Sequence, residues 1–140
     1  MGFGLPSRAG RKLESITRIL EHLAKEASKG VPVIVEGRND LNALSELNIR
    51  GRIVCIKNSG KIFAELLDSI QSRSIIVFVD FDKSGIDLAK KIASYLGSTG
   101  VKVNLNFWRR IRALIRRDVK DVEGIPSYLE KLKKRAGYFS

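Results

Sequence analysis

The chain has 140 residues, 26 Lys/Arg against 15 Asp/Glu, a formal net charge of +11 and 44 % apolar residues. That length accommodates one hydrophobic core rather than two, and that apolar share excludes a disordered chain. A single cysteine, Cys55, and a single histidine, His22, exclude a disulfide framework and a cysteine-built zinc site.

No apolar run approaches the roughly 20 residues that cross a bilayer. The opening residues, Met1 to Lys12, lack the apolar core of a signal peptide. Pro6 stands where a myristoylation start beginning Met1-Gly2 needs Ser or Thr. The sequence therefore reads as cytoplasmic, in keeping with its cysteine usage.

Over residues 10–28, Leu13, Ile16, Ile19, Leu20, Leu23 and Ala27 recur at helical spacing, and Gly30 stops the helix. Residues 31–35 predict a short strand with Pro32 near its start, closed by Glu36-Gly37. Residues 40–47 carry Leu41, Leu44 and Leu47 on one helical stripe. A second strand, 53–56, ends at the polar turn Lys57-Asn58-Ser59-Gly60. A helix over 62–70 leads to the third strand, 75–79, whose unbroken apolar run predicts burial on both faces. Ser84 is placed to cap a helix reaching about Leu96, with Ile86, Ala89, Ile92, Ala93 and Leu96 inward. Gly97 and Gly100 turn the chain into a fourth strand, 101–105. Strands separated by helices require crossover connections. The expected fold class is α/β, a small, mostly parallel four-stranded sheet flanked by helices in a Rossmann-like arrangement.

The C-terminal quarter, 107–140, holds ten Lys/Arg against four Asp/Glu. Over 107–117, Phe107, Trp108, Ile111, Leu114 and Ile115 share one helical arc, and Arg109, Arg110, Arg112, Arg116 and Arg117 share the opposite one. Residues 118–124 read as a loop, and Pro126 opens a closing helix through Lys134. A solvated arginine face is one reading of this pattern. Phosphate contact with a nucleic acid is the favoured one, because the arginines have no acidic partner within the segment. The chain thus divides into a helical extension (1–29), a core (30–105) and basic helices (106–140), all within a single domain.

In a parallel α/β sheet the functional crevice lies beyond the carboxyl ends of the strands. Glu36 follows the first strand, Asp80 follows the third, and Asp82 comes two residues later. If those strands are neighbours, three acids meet at one edge. Gathered carboxylates repel and call for a cation, and all-oxygen ligation by few protein groups suits Mg²⁺. The plainer reading is that Asp80 and Asp82 cap the following helix. Asp40 and Asp87 read as first-turn acids facing a helix dipole. Cys55, within a strand, reads as core, His22 as a boundary residue, and Trp108 as packing rather than a base-stacking platform.

The run Val-Ile-Val-Glu-Gly-Arg-Asn-Asp, Val33 to Asp40, followed by Val-Asp-Phe-Asp-Lys-Ser-Gly, Val79 to Gly85, resembles the Toprim domain. That domain is shared by topoisomerases, bacterial primases and a 5S ribosomal RNA maturase. The likeness covers residues 30–105 and points to a small stand-alone member, similar to the maturase core and to small archaeal Toprim proteins. The larger members carry a tyrosine domain, zinc module or ATPase for which this chain has no room. The resemblance implies a Toprim fold, with Glu36 as general acid/base or metal ligand and with Asp80 and Asp82 holding one or two Mg²⁺ ions. It implies that Gly37 and Gly85 let backbone approach phosphates and that Asp40 supports the site. It makes Lys57, Asn58, Ser59, Gly60 and Lys83 candidates for phosphate contact. The expected activity is phosphodiester cleavage or phosphoryl transfer on a nucleic acid, RNA before DNA. The alternative is a non-catalytic, metal-dependent module that docks on RNA or a ribonucleoprotein. A haloacid-dehalogenase-type phosphatase and a response-regulator receiver both place their acidic motif on the first strand, and both fit less well.

Overall fold

The computed structural model describes residues 7–57 and 59–138; the expectations at Met1, Gly2, Pro6 and Asn58 lie outside them. Ser7 caps α1 (Arg8–Ser28) by accepting the Gly10 N–H at 3.0 Å. The expected stripe, Leu13, Ile16, Ile19, Leu20, Leu23 and Ala27, is the buried face of that helix. The chain then alternates strand and helix: β1 (Val33–Val35), α2 (Arg38–Glu46), β2 (Ile53–Cys55), α3 (Phe63–Ile70), β3 (Ser74–Val77), α4 (Lys83–Ser98) and β4 (Lys102–Asn104). After β4 come α5 (Asn106–Ile115), a 3-10 turn (Val122–Gly124) and α6 (Ile125–Arg135), with Pro126 in the first turn of α6.

All strand pairs are parallel, and the order across the sheet is β2-β1-β3-β4. The two most apolar strands, β1 and β3, are therefore central. Their residues Val33, Ile34, Val35, Ile75, Ile76 and Val77 are all buried, as a strand covered on both faces requires. A single cluster of buried residues runs from Leu13 of α1 to Leu132 of α6. The extension, core and basic helices thus share one interior, with α1 packed on both α5 and α6. Full burial of each large side chain, Phe78 and Ile34 among them, contributes about 1.5–3 kcal/mol.

Three local details depart from the expectations. β3 ends at Val77, its last residue in register with β1, although Phe78, Val79 and Phe81 remain buried. The cap of α4 is Asp82 rather than Ser84, with the Asp82 carboxylate accepting the Gly85 N–H at 2.8 Å. Starting the helix earlier leaves Asp87 beyond the first turn, whereas Asp40 does occupy the first turn of α2.

Candidate functional site

Because β1 and β3 are adjacent and parallel, the residues that come after them leave the sheet at the same edge. Val33 pairs with Ile76 and Ile34 with Val77, and the Phe78 N–H donates to the Ile34 carbonyl at 2.8 Å. That register carries Glu36 to Asp80, where Glu36 Oε1 accepts the Asp80 N–H at 3.2 Å. On the other side, the Lys57 N–H at the end of β2 donates to the Glu36 carbonyl at 2.8 Å. Lys57 Nζ stands 3.8 Å from Glu36 Oε2, with the glutamate side chain only 12 % exposed. Asp40, 7 % exposed, turns back so that its Oδ2 accepts the Gly37 N–H at 3.1 Å.

The segment after α5 closes the site from a direction the sequence did not announce. Asp80 Oδ1 accepts the Val122 N–H at 3.0 Å, and the Phe81 N–H donates to the Lys120 carbonyl at 2.8 Å. Glu36, Asp40, Asp80 and Glu123 thereby line one cleft of about 330 Å³, together with Arg38 and Lys57. Burial pushes the Asp80 carboxyl up to about 6; the charges of Glu36, Asp40 and Asp121 add to the shift, against the pull of the Val122 N–H. Asp40 is raised as well, by burial first and then by Glu36 and Glu123, while the Gly37 N–H opposes. The cleft concentrates negative charge where water screens it poorly.

Of the three acids expected at one rim, Glu36 and Asp80 meet. Asp82 is exposed and its carboxylate is engaged in capping α4. Among the described residues, no three His, Cys, Asp or Glu side chains form a ready-made metal-ligating group. The donor chemistry nonetheless fits Mg²⁺: hard carboxylate oxygens, few in number, facing a cleft with room for water.

At Gly85 a Cβ would collide with the Asp80 carbonyl, so the glycine lets α4 pack against the end of β3. At Gly37 a Cβ would meet nothing within 4 Å, while its N–H is engaged by Asp40 Oδ2. Gly60 adopts φ +73° in the loop after β2. Lys83 is the first residue of α4 and exposed. Asn58 lies outside the described residues, and Ser59 Oγ accepts the Lys61 N–H at 3.1 Å.

On α5, Arg109, Arg110, Arg116 and Arg117 flank the helix or its end as exposed side chains. Arg112 corrects the picture of a uniform solvent face, since its Nε donates to the Phe81 carbonyl at 3.1 Å. Trp108 is core: its Nε1 donates to the Val79 and Asp80 carbonyls at 3.0 and 3.2 Å. These two side chains hold α5 across the carboxyl end of β3, beside the acids. Glu123 and Arg38 escaped the sequence reading. Their only signals are the acidic Asp-Val-Glu-Gly turn before Pro126 and the Arg inside Glu-Gly-Arg-Asn-Asp.

An all-parallel α/β sheet with an acidic cleft at the carboxyl end of its two central strands defines the class of protein. No family model matches the chain. A UPF0292 protein of Methanosarcina acetivorans is 30 % identical over 128 residues, covering 91 % of this chain and 88 % of its own. The UPF0292 protein of Thermococcus kodakarensis is 33 % identical over 112 residues, 80 % of this chain and 84 % of its own. That of Thermoplasma volcanium is 34 % identical over 109 residues, 76 % of this chain and 89 % of its own. The chain belongs to the UPF0292 family. Among solved structures, a protein from Aquifex aeolicus is similar with a TM-score of 0.63 and 28 % identity, over 76 % of this chain and 94 % of that one.

Proposed function

We propose that this chain is a Mg²⁺-binding, Toprim-like enzyme that cleaves phosphodiesters or transfers phosphoryl groups on a nucleic acid, RNA before DNA. The observation supporting this most is the meeting of Glu36 and Asp80, 44 residues apart in sequence, at one edge of the sheet. Burial lifts Asp80 to about 6, with the charges of Glu36, Asp40 and Asp121 adding to it, and a divalent ion would relieve that cost.

Glu36 and Asp80 would hold the ion, while Asp82 spends its Oδ1 on the Gly85 N–H. Bound there, Mg²⁺ would supply charge neutralisation at a phosphoryl group. Glu36 is oriented by the Asp80 N–H on one oxygen and approached by Lys57 at the other. That leaves it placed to take a proton from an attacking hydroxyl or return one to the leaving oxygen. Arg38 and Lys57, at the mouth of the cleft, meet phosphate oxygens. The test is cleavage of structured RNA precursors with Mg²⁺ by the wild type, Glu36→Gln and Asp80→Asn. Loss of cleavage in both variants is expected, and undiminished cleavage in either removes the site.

The capping role of Asp82 favours a second reading, in which two acids and the basic helix anchor a non-catalytic, metal-dependent RNA-binding module. Mg²⁺-dependent binding with no turnover of any RNA or DNA tested would select it.

A further inference from the structure

Four parallel strands bring their carboxyl ends to one edge of the sheet, and the charges along that edge follow a definite order. The end of β2 carries Lys57; the end of β1 carries Glu36 with Arg38 beyond it; the end of β3 carries Asp80. Next comes α5, held over the end of β3 by Trp108 and Arg112. Arg109 and Arg116 lie three residues before and four after Arg112, so they share its side of the helix, and both are exposed. Lys120 extends this wall: its backbone carbonyl binds the Phe81 N–H, and its ammonium spends one donor on the Arg116 carbonyl at 2.6 Å. The edge therefore reads basic, acidic, acidic, basic.

The aromatic side chains of the described residues are spent elsewhere. Phe78, Phe81, Phe107, Trp108 and Tyr128 are buried. Phe63 and Tyr95 pack edge to face. Tyr138 is exposed but lies beside Leu13 and Lys133, near α1 and α6. Single strands are gripped by stacking bases on exposed rings, whereas duplexes are held through their backbones by cations.

We propose that the carboxyl edge of the sheet is a two-walled clamp for the sugar–phosphate backbone of a nucleic-acid duplex. Arg38 and Lys57 form one wall, and Arg109, Arg116 and Lys120 form the other. This rests on the nucleic-acid reading above and adds to it the form of the substrate and the way it is held. The clamp seats one phosphodiester over the acids and takes the flanking phosphates on either side. Recognition is by backbone and indifferent to sequence.

The test is fluorescence anisotropy with a labelled RNA duplex, a DNA duplex of the same sequence and each strand alone, over a KCl series with Mg²⁺ present. Glu36→Gln serves as the background so that no probe is consumed. Arg38→Ala/Lys57→Ala and Arg109→Ala/Arg116→Ala are each expected to flatten the slope of log affinity against log salt by about two for a duplex. The comparison variant is Arg73→Ala/Lys102→Ala, which removes two exposed cations at the opposite, amino edge of β3 and β4; its slope is expected to match the parent. Lys57→Arg, which keeps the charge, is expected to keep the parent slope. Tighter binding of single strands than of either duplex overturns the proposal, as does an equal loss from the amino-edge variant. A wild type that cleaves nothing leaves these slopes readable, so the clamp and the catalytic reading fail separately.

Discussion

Asp80 holds two amides in register: its own N–H on Glu36 and its Oδ1 on Val122. Its position among other acids sets a sign for pH. A carboxyl raised from 3.8 to about 6 keeps its proton longer in the native state than in the unfolded chain. Stability from this group is therefore greatest below about pH 4, falls as pH climbs to about 6, and stays lower above. Asp80→Asn preserves an acceptor for Val122 and removes the charge. In chelator its melting temperature is expected to exceed that of the wild type at neutral pH and to match it near pH 4. Under the proposed function, Mg²⁺ raises the melting temperature of the wild type at neutral pH and leaves Asp80→Asn unmoved. Glu36 and Asp80 were legible because each ends an apolar run. Glu123 was not, because it reaches the cleft through a turn whose placement depends on tertiary hydrogen bonds.

At the scale of an element, the junction of β3 and α4 carries two separable constraints. Asp82 caps the helix, so Asp82→Ala is expected to cost about 0.5–2 kcal/mol in urea denaturation, while Asp82→Ser, itself a good cap, stays near the wild type. If Asp82→Ser also loses Mg²⁺ affinity, the carboxylate serves the ion as well. Gly85→Ala would drive a methyl into the Asp80 carbonyl, backbone that has nowhere to yield, and is expected to lower stability by about 1–3 kcal/mol or more. Periodicity placed both strand and helix correctly. It could not choose between Asp82 and Ser84 as cap, since both residue types cap well and only the observed backbone breaks the tie. Nor could it reveal that Gly85 answers to packing, because a glycine after Asp-x-Asp looks the same whether a phosphate or a carbonyl lies against it.

Over the whole molecule, the order β2-β1-β3-β4 is what turns separate motifs into a site, and no local pattern contains it. Helical spacing fixed which face of α1 is apolar but not what covers it, which proves to be α5 and α6. Lys12 of α1 reaches Asp118 at 3.3 Å, and Asp118 also accepts the Tyr128 hydroxyl of α6 at 2.9 Å. One carboxylate thus joins the first helix, the strap after α5 and the last helix. Ile16 is fully buried at the centre of the α1 face. Ile16→Ala is expected to lower global stability by about 2–5 kcal/mol in chemical denaturation, in one transition that includes the sheet, because the described residues share one core cluster.

The bond between Asp80 and the Val122 amide spans 42 residues of chain, and it dates the birth of the cleft. On a ribosome, where chains emerge from the first residue onward and domains fold as units, β1, β2 and β3 are outside while the strap is still being made. A nascent chain at that stage presents its acids with one wall missing. Only when the last quarter has threaded out and wrapped back is the cleft enclosed, so half-made copies lack the finished pocket.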